Sequence, residues 1–162
     1  MKAFIVADEA RCIACRTCEV ACVQAHSAED ARQLTAFSPR LKVQRRGEIS
    51  VPVMCHQCER ASCVEVCPVG ALTIGKRAVE SDDARCIGCL RCVIACPFGA
   101  ISVESYPDAE DSTVLKCDLC GHREEGPACV SVCPTQALQL MTDAELQRYR
   151  RGRIAKSAIR QR

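Results

Sequence analysis

Sixteen of the 162 residues are cysteines, and they fall into four groups of four: Cys12, Cys15, Cys18, Cys22; Cys55, Cys58, Cys63, Cys67; Cys86, Cys89, Cys92, Cys96; and Cys117, Cys120, Cys129, Cys133. In order, the spacings are C-x2-C-x2-C-x3-C, C-x2-C-x4-C-x3-C, C-x2-C-x2-C-x3-C and C-x2-C-x8-C-x3-C, so each group opens with C-x2-C and closes with C-x3-C. Thiols at this density form disulfides or bind soft metals. Disulfides belong to oxidising compartments, and Met1 to Asp8 is too short for a signal-peptide apolar region before Arg11 and Cys12, with no twin-arginine pair ahead of it. No apolar stretch approaches the ~18 residues of a membrane-spanning helix. The expectation is therefore a cytoplasmic, reduced chain without membrane insertion, whose thiols hold metal.

Zinc satisfies an isolated C-x2-C pair. It does not call for the x2 triplets, the helical x3 closure or the Cys-Pro exits at Cys67-Pro68, Cys96-Pro97 and Cys133-Pro134. A C-x2-C-x2-C-x3-C-P run is the bacterial ferredoxin pattern for 4Fe–4S clusters, in which the fourth cysteine serves the neighbouring cluster. Sixteen thiolates at four per cubane give four such clusters and leave no ligand spare. Cluster charge, about −2 per oxidised site, must be offset by backbone N–H groups directed at sulfur. Gly70, Gly88 and Gly99 are read as positions where the backbone comes close enough.

The elements that must position these thiols follow from the repeat. Residues i and i+4 share a helix face, so each C-x3-C closure is read as a helical turn aiming both sulfurs the same way. The proline that follows three of the closures ends the helix and opens an extended segment: CPVGALTI, CPFGAISV and CPTQALQL. Leu72–Ile74 and Ala78–Glu80 are expected to form a hairpin about Gly75-Lys76-Arg77. A second is expected from Leu41–Arg45 and Glu48–Val53 about Arg46-Gly47. Ser27 to Pro39 and Ser105 to Thr113 read as surface loops. Thr142-Asp143-Ala144-Glu145 is a capping-box pattern opening a basic C-terminal helix, weakened near Gly152.

Composition agrees with an inorganic substitute for a large core. The hydrophobic fraction of 48% includes all sixteen cysteines, and there are three Phe, two Tyr and no Trp. The net charge of +2 hides an asymmetry, because residues 143–162 carry seven basic and two acidic side chains, leaving a mildly acidic body. Few base-stacking aromatics and an anionic cluster-bearing body argue against nucleic acid. Docking to a partner or to another copy through 143–162 is the alternative to a simply solvated helix. His56 and His122 are read as surface or cluster-adjacent groups rather than ligands, and His26 is given no role. Arg16, Glu19 and Glu65 are read as solvated. No nucleophile–base set, phosphate loop or paired-carboxylate pattern occurs, so no independent catalytic site is expected.

The run Arg11-Cys12-Ile13-Ala14-Cys15-Arg16-Thr17-Cys18-Glu19-Val20-Ala21-Cys22, with the segment Cys117 to Cys129, resembles the small four-cluster electron-transfer subunits of formate hydrogenlyase and formate dehydrogenase. It is similar also to those of carbon monoxide dehydrogenase and tungsten aldehyde oxidoreductase. The resemblance covers about residues 1–142. Spacing alone permits sequential or nested pairing of the groups. The resemblance implies the nested scheme, first with fourth and second with third, in an α+β fold of two ferredoxin-like modules with short helices, hairpins and a C-terminal helix. The outer module would be 1–40 with 105–142, the inner 41–104, and the helix 143–162. The implied ligand sets are Cys12, Cys15, Cys18 with Cys133; Cys22 with Cys117, Cys120, Cys129; Cys55, Cys58, Cys63 with Cys96; and Cys67 with Cys86, Cys89, Cys92. Ala14 stands where Cys86-Ile87-Gly88-Cys89 has glycine, which is expected to tilt the local backbone.

The implied role is a non-catalytic wire joining a molybdenum- or tungsten-pterin oxidoreductase subunit to a second redox partner. The alternatives are a free-standing polyferredoxin and a metalloenzyme maturation factor.

Overall fold

The computed structural model describes residues 3–27, 37–105 and 112–160. In chain order the elements are β1 (Phe4–Ala7), α1 (Thr17–Ser27), β2 (Leu41–Arg46), β3 (Ile49–Met54), α2 (Ser62–Glu65), β4 (Leu72–Ile74), β5 (Val79–Ser81), α3 (Arg91–Ala95), β6 (Ser102–Ser105), β7 (Ser112–Leu115), α4 (Ala128–Ser131), β8 (Leu138–Met141) and α5 (Asp143–Arg160). The architecture is a small mixed α/β fold. Its described strands pair in antiparallel twos: β1 with β8, β2 with β3, β4 with β5 and β6 with β7.

Both expected hairpins form, each displaced by one residue. Register Leu41↔Met54 to Arg46↔Ile49 puts the turn at Gly47-Glu48 rather than Arg46-Gly47, because Gly47 takes the left-handed φ of +61° that the tight turn requires. Along β2, Leu41 and Val43 are buried while Lys42 and Gln44 face out, the period of two that fixes register. The inner hairpin runs Leu72↔Ser81 to Ile74↔Val79, so β5 begins after Ala78. Ser112 and Thr113, expected in a loop, are instead strand residues in β7, with Ser112 opposite Ser105 and Thr113 opposite Glu104. Ser27 and Ser105, the first residues of the two expected loops, likewise belong to α1 and β6, Phe37 to Pro39 are irregular, and 28–36 and 106–111 lie outside the described residues. The pairing of β1 with β8 joins Phe4 to Met141 and brings the two ends of the cysteine-bearing region together.

Helices α2 and α4 have four residues each and α3 has five. One turn is far below the ~12 residues at which an isolated helix becomes even marginal in water, so tertiary contacts hold these turns in place. Those contacts are largely cysteines. One buried cluster joins Ile5, Leu41, Val43, Met54 and Leu138 to Cys18, Cys22, Cys55, Cys117 and Cys129. A second joins Ala61, Leu72, Val79, Ile101 and Val114 to Cys63 and Cys92.

Helix α5 begins at the expected capping box. The Thr142 backbone N–H donates to Glu145 Oε2 at 2.7 Å, and the Glu145 N–H donates back to Thr142 Oγ1 at 3.4 Å. The helix continues through Gly152 to Arg160. Among the described residues no helix is long and apolar enough to cross a membrane. Replacing Thr142 with Ala should destabilise this helix start by about 1 kcal/mol. Faster amide exchange in the first turn of α5, with unchanged exchange in β2 and β3, is the expected measurement.

Candidate metal centres

Each C-x2-C pair contains one residue in the left-handed region, always the one before the second cysteine: Ala14 (φ 57°), Gln57 (51°), Gly88 (65°) and Leu119 (61°). Right- and left-handed residues in alternation turn successive N–H groups toward one side of the chain and make a nest for an anion. Ala14 adopts the same conformation as its counterpart Gly88, so the expected tilt does not occur and the alanine accepts the strain instead.

The Cys-Pro exits use the same device three residues after the cysteine, at Gly70 (63°), Gly99 (60°) and Gln136 (53°). At the first and third of these exits the following N–H reaches back to sulfur. Ala71 N–H donates to Cys67 Sγ and Ala137 N–H to Cys133 Sγ, both at 3.2 Å. Burial opposes ionisation of these two thiols, but the surrounding N–H groups outweigh it and both lie below the ordinary thiol range.

Thiols from different groups line common pockets. One pocket is lined by Cys12, Cys15, Cys18 and Cys133, with Ile13, Val43 and Leu138 around them. Another is lined by Cys67, Cys86, Cys89 and Cys92, with Ile87, Leu90 and Val114. Elsewhere, Cys129 lies within electrostatic reach of Cys117, Cys22 and Cys120, while Cys55 and Cys63 are both within reach of Cys96, and Cys55 also of Cys58. Cys129 further senses Cys18, and Cys117 senses Cys55, so neighbouring sets adjoin. Burial, reinforced by nearby thiolates, pushes Cys18 up to about 11 and Cys117 up to about 12, and it raises Cys129 further. None of the sixteen is in a disulfide. Convergent buried thiols with N–H donors directed at sulfur fit the iron–sulfur chemistry expected from the spacing.

Four polar side chains near these sets escaped the sequence reading. Glu19 is buried (6% exposed), not solvated, and its Oε1 accepts the Val43 N–H at 2.6 Å, tying α1 to β2. His26, only 1% exposed, places Nδ1 at 2.7 Å from the Cys22 carbonyl and Nε2 at 3.2 Å from Asp118 Oδ1. Both ring nitrogens thus face acceptors. Burial alone would disfavour the imidazolium, but the hydrogen bonds to Asp118 and Cys22 raise it to about 9. Asp118, also bonded to Arg40 at 2.7 Å, is held well below the usual carboxylate range despite its burial.

Gln57 and Lys116 are the other two, at 3% and 1% exposure. A sequence signal existed for His26, which sits one helical turn beyond Cys22 on the same face of α1. Arg16 and Glu65 are exposed as expected. His56 is exposed and stacks on Phe98, with ring centroids 3.9 Å apart, and the exposed His122 lies at 3.0 Å from the Ala25 carbonyl.

Comparison with known proteins agrees with this chemistry. Residues 48–143 match the 4Fe-4S dicluster domain family. The chain is 42% identical over 173 residues to electron transport protein HydN of Escherichia coli, covering 98% of this chain and 99% of that protein. It is 38% identical over 178 residues to formate hydrogenlyase subunit 2 of Escherichia coli K12, covering 91% and 86%. UacF of the same strain, named as an oxidoreductase, is 46% identical over 160 residues, which are 98% of this chain but 24% of UacF. This chain therefore spans about a quarter of that longer relative.

The strain at Ala14 yields a test. Ala14→Gly should leave the protein unchanged or stabilise it by up to about 1 kcal/mol, since glycine carries no penalty at positive φ, whereas Ala14→Val should destabilise it by more than that. Anaerobic thermal unfolding of the two variants checks the order.

Proposed function

The chain belongs to the 4Fe-4S dicluster domain family, and from that premise we propose that it is the electron-relay subunit of a larger oxidoreductase, carrying four 4Fe–4S clusters in a row. The nested sets hold them: Cys12, Cys15, Cys18, Cys133; Cys22, Cys117, Cys120, Cys129; Cys55, Cys58, Cys63, Cys96; and Cys67, Cys86, Cys89, Cys92. The observation that carries this reading is the convergence of Cys133 with Cys12, Cys15 and Cys18 on one pocket, across more than a hundred residues of chain. The bound clusters supply one-electron redox sites.

The residues supply the rest. Left-handed turns curve the backbone around each sulfur set, burial excludes water from the two middle sets, and the end sets remain accessible. Cys15 and Cys89 are the exposed thiols, one in each end set. Around Cys89 stand the exposed apolar side chains Ile87, Leu90 and Ile94, the last 85% exposed, and beside Cys15 stands Ile13. A relay needs accessible termini for two partners and a protected middle. The partner handing over electrons is proposed to be a catalytic subunit of the molybdenum- or tungsten-pterin type. The basic helix α5 offers a contact for an anionic surface, on that partner or on another copy.

Anaerobically purified protein should contain about 16 iron and 16 acid-labile sulfide per chain. Stoichiometric zinc with little sulfide would overturn the reading. The pairing is tested by Cys133→Ser, which should perturb the electron paramagnetic resonance signal of a single end cluster and leave those of the inner sets intact. Loss of the cluster at Cys86, Cys89 and Cys92 in that variant would establish sequential pairing instead.

A further inference from the structure

Lys116 follows the apolar strand β7 and directly precedes Cys117, and at 1% exposure it ranks among the most buried side chains of the protein. An ammonium is not buried without compensation, because desolvation of a charge costs several kcal/mol. Its Nζ donates to the carbonyl of Val79 on β5 and, at 3.0 Å, to the carbonyl of Cys117. Gln57 binds the same two residues: its Oε1 accepts the Val79 N–H at 2.8 Å, and its Nε2 donates to the Cys117 carbonyl at 2.7 Å. The C-x2-C turn of the second cysteine group, strand β5 and the first cysteine of the fourth group are thus knotted around one buried cation. Gln57 meets the Val79 N–H and shares the Cys117 carbonyl, and a neutral donor would serve the Val79 carbonyl that Lys116 reaches. The charge requires a further reason.

We propose that Lys116 tunes the relay: its ammonium, fixed at the seam between the outer and inner cysteine sets, raises the reduction potential of the interior cluster held by Cys55, Cys58, Cys63 and Cys96. This rests on the ligand sets proposed above. Reducing that cluster adds one negative charge, and a neighbouring cation shielded from water stabilises the reduced form more than the oxidised one. The step balances simply. One electron arrives from an adjacent cluster, which is oxidised by one, and no bond is made or broken. The link to that set is geometric: Gln57, whose Nε2 meets the Cys117 carbonyl beside the ammonium, stands in the turn between Cys55 and Cys58. The consequence is a relay whose middle holds an electron more readily than its exposed end at Cys67, Cys86, Cys89 and Cys92.

The test is anaerobic redox titration of the full chain followed by electron paramagnetic resonance, on protein shown by iron and sulfide content to hold four clusters. Lys116→Met should lower one cluster's reduced-to-oxidised ratio at fixed potential about tenfold, a shift of about 59 mV for one electron. Lys116→Arg should restore the original titration, and Gln57→Leu, which cuts the same knot without removing charge, should not reproduce the shift. An unchanged titration in Lys116→Met, or an equal shift in Gln57→Leu, overturns the proposal. If Lys116→Met holds fewer than four clusters, Lys116→Gln is titrated in its place, since it keeps a donor for the carbonyls. Loss of a cluster in both neutral variants but not in Lys116→Arg also overturns the tuning role and leaves the cation structural. Fewer than four clusters in the unaltered protein would instead remove the ligand reading itself.

Discussion

The gathering of cysteine sulfurs from distant parts of the chain is the constraint on which the rest of this structure depends. Thiolates and the clusters they hold are anionic, and their charge must be met by polar groups at close range. The backbone meets it by turning left-handed before the second cysteine of every group and again after each Cys-Pro exit, so that N–H groups face sulfur. Most elements between these turns are short: α2, α3 and α4 have four or five residues and the strands three to six. Such elements have no independent stability. They are positioned because cysteines belong to both hydrophobic clusters and link each turn to a distant part of the chain.

Close-range polarity is supplemented by charge. His26 and Lys116 are basic side chains with 1% exposure, each beside a cysteine set, and each bonded to main-chain carbonyls or a carboxylate. His26 shares Asp118 with Arg40, so that corner carries two positive groups against one negative. These side chains link elements as well as balance charge. Glu19 joins α1 to β2, His26 joins α1 to the fourth cysteine group, and Gln57 with Lys116 joins the second group to the fourth. A relay benefits from that rigidity, because electron transfer between fixed sites demands little rearrangement of the protein around them.

Much of this was determined by the sequence alone, because it rests on local rules. Spacing announces the metal chemistry, i and i+4 cysteines announce helical turns, Cys-Pro announces the strand that follows, and Thr142 with Glu145 announces the start of α5. The one-residue displacement of the two hairpins shows the limit of those rules, since turn position depends on which residue accepts positive φ. Ala14 illustrates the same limit. Residue type argues for a different backbone from that of Gly88, yet four thiols about one pocket impose the same one.

Only the tertiary structure decided what lies across long separations. Strand β1 meets β8 more than 130 residues later, and Cys133 lines one pocket with Cys12, Cys15 and Cys18. Glu19, His26, Gln57 and Lys116 are ordinary polar residues in sequence and become buried links only when Val43, Asp118 and Cys117 arrive beside them. The physical reason is the same in each case. Periodicity and capping report a residue's neighbours within a turn or two, whereas burial of a charge is set by partners the chain brings from far away, and those leave no local pattern.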